Sequence, residues 1–437
     1  MSLINIFLYE FNHFRKSKAK VIAYLLFLST CVYALYNGFS LQNKQKTTID
    51  GIEQKIQEGI TKVLGWFDEG KTGPEDRPWI DVSTPFWALW HTPTYTIKTP
   101  SPLLPLGIGQ SEQYGFYKQV SNWSTTYDSD MVEELANPER LINGNIDFAF
   151  IILFLMPLLL IVLTYNINGL EKDQGFDRLI SIQVGNIQHW LLARSGFYFL
   201  LILVTNAVLI LTIGILNNAF ADFGSEMISL LIVATLYLCF WTIISYFIIL
   251  KSSGISSQAF TMISVWLLLC VVIPGAVHQY ASIRYPANLM TDFLEVNRKE
   301  AYSVFEVSSD TLAQKLKAIY PQLANTKNGQ DSISDESIVQ HTVSALINEM
   351  NKFAVYNIES LNDEKNQLIA TSYWFNPVSF FQNKWNNITA TDYNAYKKYR
   401  SEVQKDIDNK MELLVIECWD KKKVDKITYQ TYLERLK

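Results

Sequence analysis

Five runs of apolar residues dominate the pattern of hydrophobic and polar positions along the chain. Each run holds about twenty residues, which at a rise of about 1.5 Å per residue is enough to cross a hydrocarbon core of about 30 Å. The runs cover residues 21–39, 148–165, 191–216, 227–250 and 259–278. The pattern therefore predicts a mainly α, polytopic membrane protein with about five transmembrane helices.

Two long polar segments lie between and after these runs. Residues 40–146 begin with a helical stripe of apolar residues and continue into a part rich in Pro and Trp, which predicts an α+β domain. Residues 279–437 carry apolar stripes at helical spacing, which predicts a mostly helical domain. A basic cluster at positions 15–20 precedes the first span and predicts a cytoplasmic N-terminus, so both segments are expected to be extracytoplasmic.

The predicted organisation has seven parts in chain order. They are a cytosolic interfacial helix (1–20), a first span (21–39), an external domain (40–146), a second span (147–167), a cytosolic amphipathic region (168–190), the third to fifth spans (191–278) and a second external, mostly helical domain (279–437). Few charged residues fall inside the spans, which disfavours an ion relay across the membrane. If the protein transports a substrate, an apolar pathway across the membrane is expected instead.

The segment directly after the second span is the strongest functional candidate. Between positions 171 and 183 charged residues alternate with apolar ones, and Gly175 interrupts the run. Unpaired charges cost several kcal/mol each in lipid, so this segment is expected to form a short helix at the membrane surface, where a partner can push on it. The alternative is an ordinary solvated helix beside the membrane, and the amphipathic pattern alone does not separate the two.

Composition and motifs narrow the possible functions. The chain is 49% hydrophobic, 14% aromatic and 18% charged, which indicates membrane spans combined with sizeable polar segments. Its net charge of −5 disfavours nucleic acid as a partner. The sequence contains neither a phosphate-binding glycine loop nor a Rossmann fingerprint, and its five histidines are scattered. We therefore expect no catalytic site, no bound metal and no ATP site in this chain.

The segment after the second span resembles its counterpart in ABC transporter permeases of the type 2 exporter class. In that family a Glu and a Gly four residues later open a short coupling helix, which continues into a Leu-rich turn. The matching positions here are Glu171, Gly175, Leu179 and Ile180. A Pro often follows in the family, whereas this chain has Ile182-Gln183.

Other stretches resemble one bacterial subgroup of these permeases, whose members carry a large external domain of unknown function. The stretches include LGIGQSEQYGFYKQVS at positions 106–121 and ELANPERLINGNIDFAF, which ends at Phe150. Tyr399-Arg400 near the C-terminus also fits. The shared order of these stretches extends the resemblance over nearly the whole chain.

The resemblance implies a permease subunit in the bacterial inner membrane. It would pair with a second permease subunit, identical or different, and would be driven by a cytosolic ABC ATPase. The chain itself would bind no cofactor, since ATP would be bound and hydrolysed by the partner. The residues expected to contact the ATPase are Glu171, Gly175, Arg178 and Leu179. Pro157 and Pro274 are candidates for kinks, moving or static, in the second and fifth spans.

A second hypothesis remains open beside the permease. Permeases of this class usually have a sixth span, and this sequence shows five apolar runs. That difference favours a membrane-anchored envelope scaffold or assembly protein with no transport activity. The scaffold hypothesis predicts that damage to the helix at 171–182 is tolerated, whereas the permease hypothesis predicts that it is not. Substrate and direction of transport are open.

Overall fold

The computed structural model describes residues 3–136, 146–168, 175, 176, 180, 182, 187–252, 254–286, 293, 303–331 and 333–436. This part of the chain is mainly helical. The helices are α1 (Leu3–Lys16), α2 (Lys18–Asp68), α3 (Pro85–Trp90), α4 (Asp128–Ala136), α5 (Phe148–Thr164), α6 (Ile187–Leu216), α7 (Phe220–Lys251), α8 (Ile255–Arg284), α9 (Ser309–Ile319), α10 (Lys327–Gln330), α11 (Glu336–Thr371), α12 (Pro377–Ile388), α13 (Tyr393–Trp419) and α14 (Lys426–Arg435).

Four of these helices are long and apolar enough to cross a membrane: α2, α6, α7 and α8. Helix α5 is apolar but shorter. The prediction of a mainly α protein with several membrane-compatible helices is therefore confirmed. The count of five spans stays a prediction, because α5 falls below the length of the other four.

Helix α2 is a single helix of 51 residues. It joins the predicted first span to the apolar stripe at the start of the next segment, two stretches that were predicted to belong to separate parts. No proline occurs between positions 18 and 68, so nothing in the sequence forces a break. Cys31 and Ala34, in its first half, lie in the core of the bundle, and Val63, in its second half, lies in a different core.

The bundle is formed by α1, α2, α5, α6, α7 and α8, and α5 lies at its centre. Ile151, Ile152 and Leu160 of α5 are fully buried and pack against α2, α6, α7 and α8. A helix that is hydrophobic all round, as α5 is, belongs in such an interior position. The apolar run that precedes the candidate coupling segment is thus the core of the bundle.

The two long polar segments fold together into one unit, which we call the head. Its core combines Ala88 and Val120 from the first segment with Leu312, Val343 and Trp419 from the second. The head also contains the antiparallel pair β1 (Tyr95–Ile97) and β2 (Tyr117–Gln119). The short, mostly apolar stretch at 411–419 has nine residues, two of them Glu, which is too few to span a membrane, and it forms the buried end of α13.

The head meets the bundle through α12. Phe381 of α12 packs against Tyr237 of α7, with ring centroids 4.8 Å apart. Trp385 of α12 is fully buried, and its Nε1 donates a hydrogen bond to the carbonyl oxygen of Leu106, 2.7 Å away. One amphipathic helix of the second polar segment therefore contacts a bundle helix and the first polar segment at once.

Candidate functional site

The structure describes one of the four residues expected to contact an ATPase. Glu171, Arg178 and Leu179 lie outside the described residues. Gly175 has a backbone φ of +73°, in the left-handed region that favours glycine, and a Cβ built on it would meet no atom within 4 Å. Gly175 is thus an exposed position with space for a larger side chain, and any such side chain would strain the backbone at this φ.

The end of α5 nearest this segment is held by a buried cluster that we call the Arg194 junction: Glu10, Lys20, Ile167, Arg194 and Tyr198. Arg194 of α6 donates from Nε to Oε2 of Glu10 in α1 at 2.6 Å, and from Nη1 to the carbonyl oxygen of Ile167 at 2.5 Å. Tyr198 donates to Oε1 of Glu10 at 2.7 Å and accepts from Nζ of Lys20 at 2.9 Å. One guanidinium thus joins α1, α6 and the turn after α5.

The two opposite charges of this junction are both buried. Arg194 is 2% exposed and Glu10 is fully buried, so neither charge has water as an alternative partner. Removing one member of such a pair leaves an uncompensated buried charge. The Trp190 ring, 4.5 Å from the guanidinium carbon of Arg194, completes the packing.

The two prolines proposed as kink sites share a local feature. A π-helical turn, Ile151–Leu155, precedes Pro157 in α5, and a second, Leu268–Val272, precedes Pro274 in α8. Proline lacks the N–H that an α-helix requires, and a π turn re-routes the backbone hydrogen bonds around it. Both prolines therefore lie at irregular points of their helices.

Side chains from two neighbouring helices bond the backbone carbonyls just before Pro157. In a regular α-helix the N–H of residue 157, if it existed, would bond the carbonyl of Leu153. The Tyr237 hydroxyl of α7 donates to that oxygen at 2.6 Å. Nε1 of Trp266 in α8 donates to the next carbonyl, that of Phe154, at 3.1 Å. The irregular turn of α5 is therefore attached to both α7 and α8.

The other end of α5 is attached to the head. Asp147 caps the helix by accepting from the N–H of Phe150 at 2.7 Å. Its second oxygen accepts from the N–H of Ile108 in the head at 3.1 Å. Helix α5 is thus bonded at one end to the Arg194 junction, near its middle to α7 and α8, and at its other end to the head.

The head has its own buried ionic cluster, centred on Arg400 of α13. Arg400 donates from Nε to Glu359 of α11 at 2.6 Å, and its Nη1 lies 3.6 Å from Asp130 of α4. Glu359 also accepts hydrogen bonds from the hydroxyls of Tyr127 and Tyr393. This cluster fastens the first polar segment to the second.

The surroundings of the cluster shift the pKa values of its carboxyls in opposite directions. Burial raises the pKa of Asp130 to about 7, against the opposing charge of Arg400. Burial would also raise the pKa of Glu359, but hydrogen bonds from Arg400 and the two tyrosines outweigh it and lower that pKa. Glu359 is therefore the ionised partner of Arg400.

A buried lysine lies on the same helix, ten residues after Arg400. Nζ of Lys410 donates to the backbone carbonyls of Thr92 at 3.2 Å and Val120 at 2.8 Å. Lys410 is 1% exposed, and burial lowers its pKa to about 7. Backbone dipoles, which carry no net charge, are thus the hydrogen-bonding partners of this amine.

No family model, no curated protein and no solved structure matches the chain. Among the described residues no three His, Cys, Asp or Glu side chains converge in a way that would hold a metal ion.

The sequence pattern did not predict the Arg194 junction. Glu10 and Arg194 are 184 positions apart, and no local spacing links them. The available signal is one Arg close to the start of an apolar run and one Glu within a short amphipathic helix, since a charge placed in such a run usually has a partner.

Proposed function

We propose that the chain is a membrane permease subunit of an ABC transporter of the export class, driven by a separate cytosolic ATPase that engages region 168–190. The observation that carries this proposal is the Arg194 junction. It bonds the turn directly before that region to α1 and α6, so a displacement of region 168–190 would be passed to three helices.

The attachments of α5 extend this path to the head. A shift of α5 would act on α7 through Tyr237, on α8 through Trp266 and on the head through Asp147. Movement of packed helices between two discrete arrangements needs such specific contacts, because interiors are close-packed. The irregular turn before Pro157 supplies a point at which α5 can bend.

The remaining parts of the proposal follow from the resemblance. The N-terminus and region 168–190 lie in the cytoplasm, the head lies outside, and the protein resides in the bacterial inner membrane. A second permease subunit completes the pathway, and the ATPase partner binds and hydrolyses ATP. The chain itself is not an enzyme and binds no cofactor.

Co-purification of an ABC ATPase with this protein tests the proposal. We expect detergent-extracted wild type to retain the ATPase, and Glu171→Ala and Gly175→Trp to lose it. Gly70→Trp is the matched control, because Gly70, just after α2, also has a positive φ (+66°) and no atom within 4 Å of a built Cβ. A wild type that does not retain the ATPase overturns the proposal.

The size of the head favours one alternative, a membrane-anchored envelope scaffold or assembly protein with no transport activity. The head has a core of its own, built from both polar segments and fastened by the Arg400 cluster. A scaffold of this kind would function without an ATPase, so Gly175→Trp would leave its cellular role intact. Loss of that role in Gly175→Trp, with the role kept in Gly70→Trp, rules the alternative out.

A further inference from the structure

A polar cleft lies between the head and the bundle, beside α5, α8 and α12. It consists of two adjoining cavities of about 400 Å³ and about 450 Å³. Four residues line both cavities: Gln110, His278, Asn383 and Asn386. The two cavities therefore adjoin, and each alone is within the size range of small-molecule sites, roughly 300–1,000 Å³.

Carboxamide side chains dominate the shared part of the cleft. Gln110 comes from the head loop that precedes β2, and Asn383 and Asn386 come from successive turns of α12. A carboxamide offers two donors and an acceptor without net charge. Such a lining suits a ligand that both donates and accepts hydrogen bonds.

Two acceptor atoms in this lining have no partner within the described part of the protein. Oε1 of Gln110 and Oδ1 of Asn386 are buried and accept no hydrogen bond there. A buried polar atom without a partner costs free energy, about 1–3 kcal/mol. Hydroxyls of a bound ligand, one at each oxygen, would supply the missing donors.

The charged side chains that line the cleft do not select for a charged ligand. The carboxylate of Asp147 accepts from three backbone N–H groups, and that of Asp392 caps α13 and accepts from Asn387. The other two charged residues of the lining, Glu112 and Lys384, are of opposite sign. The lining therefore favours an uncharged ligand over an anion or a cation.

One wall of the cleft is apolar and belongs to α5. It is formed by Ala149, Phe150, Leu153 and Phe154. Phe150 is 40% exposed, and its ring stacks on that of Phe154 with centroids 5.1 Å apart. The cleft thus has a hydrogen-bonding end at the head and an apolar end along a bundle helix.

We propose that this cleft binds an amphiphile with an uncharged, hydroxyl-rich head group, such as a glycolipid. Its hydroxyls bond Gln110, Asn383 and Asn386, and its acyl chain lies along the Phe150 face of α5. The aromatic rings of Tyr373 and Phe380 flank the head-group end. Binding of this ligand does not depend on the proposed permease role, although in a permease the cleft would be the place where cargo is held.

Photo-crosslinking in lipid nanodiscs tests the proposal. The full chain is reconstituted in phosphatidylcholine with a photoactivatable monoglucosyl diacylglycerol, without any ATPase. We expect crosslinks to peptides that contain Gln110 and residues 382–386, and competition by unlabelled glucolipid but not by phosphatidylglycerol. Equal competition by phosphatidylglycerol overturns the proposal, because it would show a general lipid contact.

Substitutions within the lining make the test specific. Gln110→Leu and Asn386→Leu are each expected to weaken glucolipid binding by tenfold or more. Gln110→Met and Asn386→Ala also remove the acceptor oxygens, and serve where a leucine variant fails to fold. Gln57→Leu, on an exposed face of α2, is the matched control and should bind like wild type. Unchanged binding in folded cleft variants overturns the proposal.

The permease proposal and the ligand-site proposal can be rejected independently of each other. Loss of ATPase co-purification in Gly175→Trp concerns region 168–190, whereas the nanodisc experiment contains no ATPase. A chain that binds glucolipid but retains no ATPase would keep the ligand site and lose the permease role.

Discussion

The hydroxyl of Tyr237 donates a hydrogen bond to the carbonyl oxygen of Leu153, 2.6 Å away, in the place where Pro157 provides no helical donor. Tyr237 is fully buried in the bundle, so water is not available as a substitute. A side chain of α7 thus compensates for an imino acid in α5. The bond stabilises an irregular turn that the sequence of α5 alone would leave unsatisfied.

Tyr237→Phe should destabilise the bundle by about 1–3 kcal/mol, because it leaves the Leu153 carbonyl buried without a donor. Thermal unfolding in detergent, followed by circular dichroism, measures the change. In a Pro157→Ala background the same substitution should cost less, since the alanine would supply the missing N–H. Tyr246→Phe is the control: that hydroxyl makes a 3.4 Å bond at an exposed site, and we expect little effect. Equal losses at the two tyrosines would contradict the prediction.

Arg194→Leu and Glu10→Leu should each cost about 3–5 kcal/mol, because each leaves the other charge buried and unpaired. The double variant should cost less than the sum of the two, by about 0.5–3 kcal/mol. Denaturant unfolding measures both quantities, and protease cleavage after α1 reports release of that helix. Arg284→Leu, at an exposed position on α8, should change neither the free energy of unfolding nor the rate of cleavage after α1. Strict additivity would show that the two residues act independently.

Gly38→Ala should be strongly destabilising, whereas Gly51→Ala should stabilise α2 by about 0.5–1 kcal/mol. A Cβ at position 38 would lie 2.5 Å from the backbone Cα of Pro105, so the head loop would have to move away from α2. A Cβ at position 51 would meet no atom within 4 Å, and alanine favours helix. Both glycines are in the same helix, which makes them a matched pair in one thermal unfolding experiment.

Lys410 should make the stability of the head rise with pH from about 7 to about 10. Its pKa is about 7 in the folded head and 10.5 when exposed, so in this window the unfolded chain binds the proton and the folded chain does not. The stability of wild type relative to Lys410→Met should increase by up to about 1.4 kcal/mol per pH unit. Below about pH 6 the difference should be flat, because the lysine is protonated in both states.

Unfolding of the head across this pH range, followed by tryptophan fluorescence, measures the difference. A constant difference between wild type and Lys410→Met across this window would contradict the prediction, since it would mean that the lysine keeps its proton when buried. The comparison between two variants removes contributions from other titrating groups, among them His91 and His341, whose pKa values burial lowers.

Periodicity and length predict the elements of this fold better than their boundaries and contacts. The apolar runs identify α2, α6, α7 and α8, because length and hydropathy are local properties. The boundary placed at position 39 does not end α2, since a helix can pass from an apolar to an amphipathic stretch without a breaker. The common core of the head is a contact between distant segments, and periodicity carries no information about such contacts.

The residues of the candidate site also differ in how well the sequence predicts them. Pro157 and Pro274 are visible in the sequence because proline removes a donor wherever it stands. The partners that compensate for Pro157, Tyr237 and Trp266, are aromatic residues in apolar runs, where lipid contact and core packing explain them equally well. Position in the folded bundle, and not residue type, turns them into hydrogen-bond donors for α5.

The unbroken course of α2 gives the protein a lever. Its 51 residues form a rod about 75 Å long, so a tilt of about 10° at one end displaces the other by about 13 Å. The far end of α2 contributes Val63 to the core of the head, so such a tilt within the bundle would move this part of the head by about the width of a helix. Fluorescent labels on the head would report motions of the bundle in amplified form.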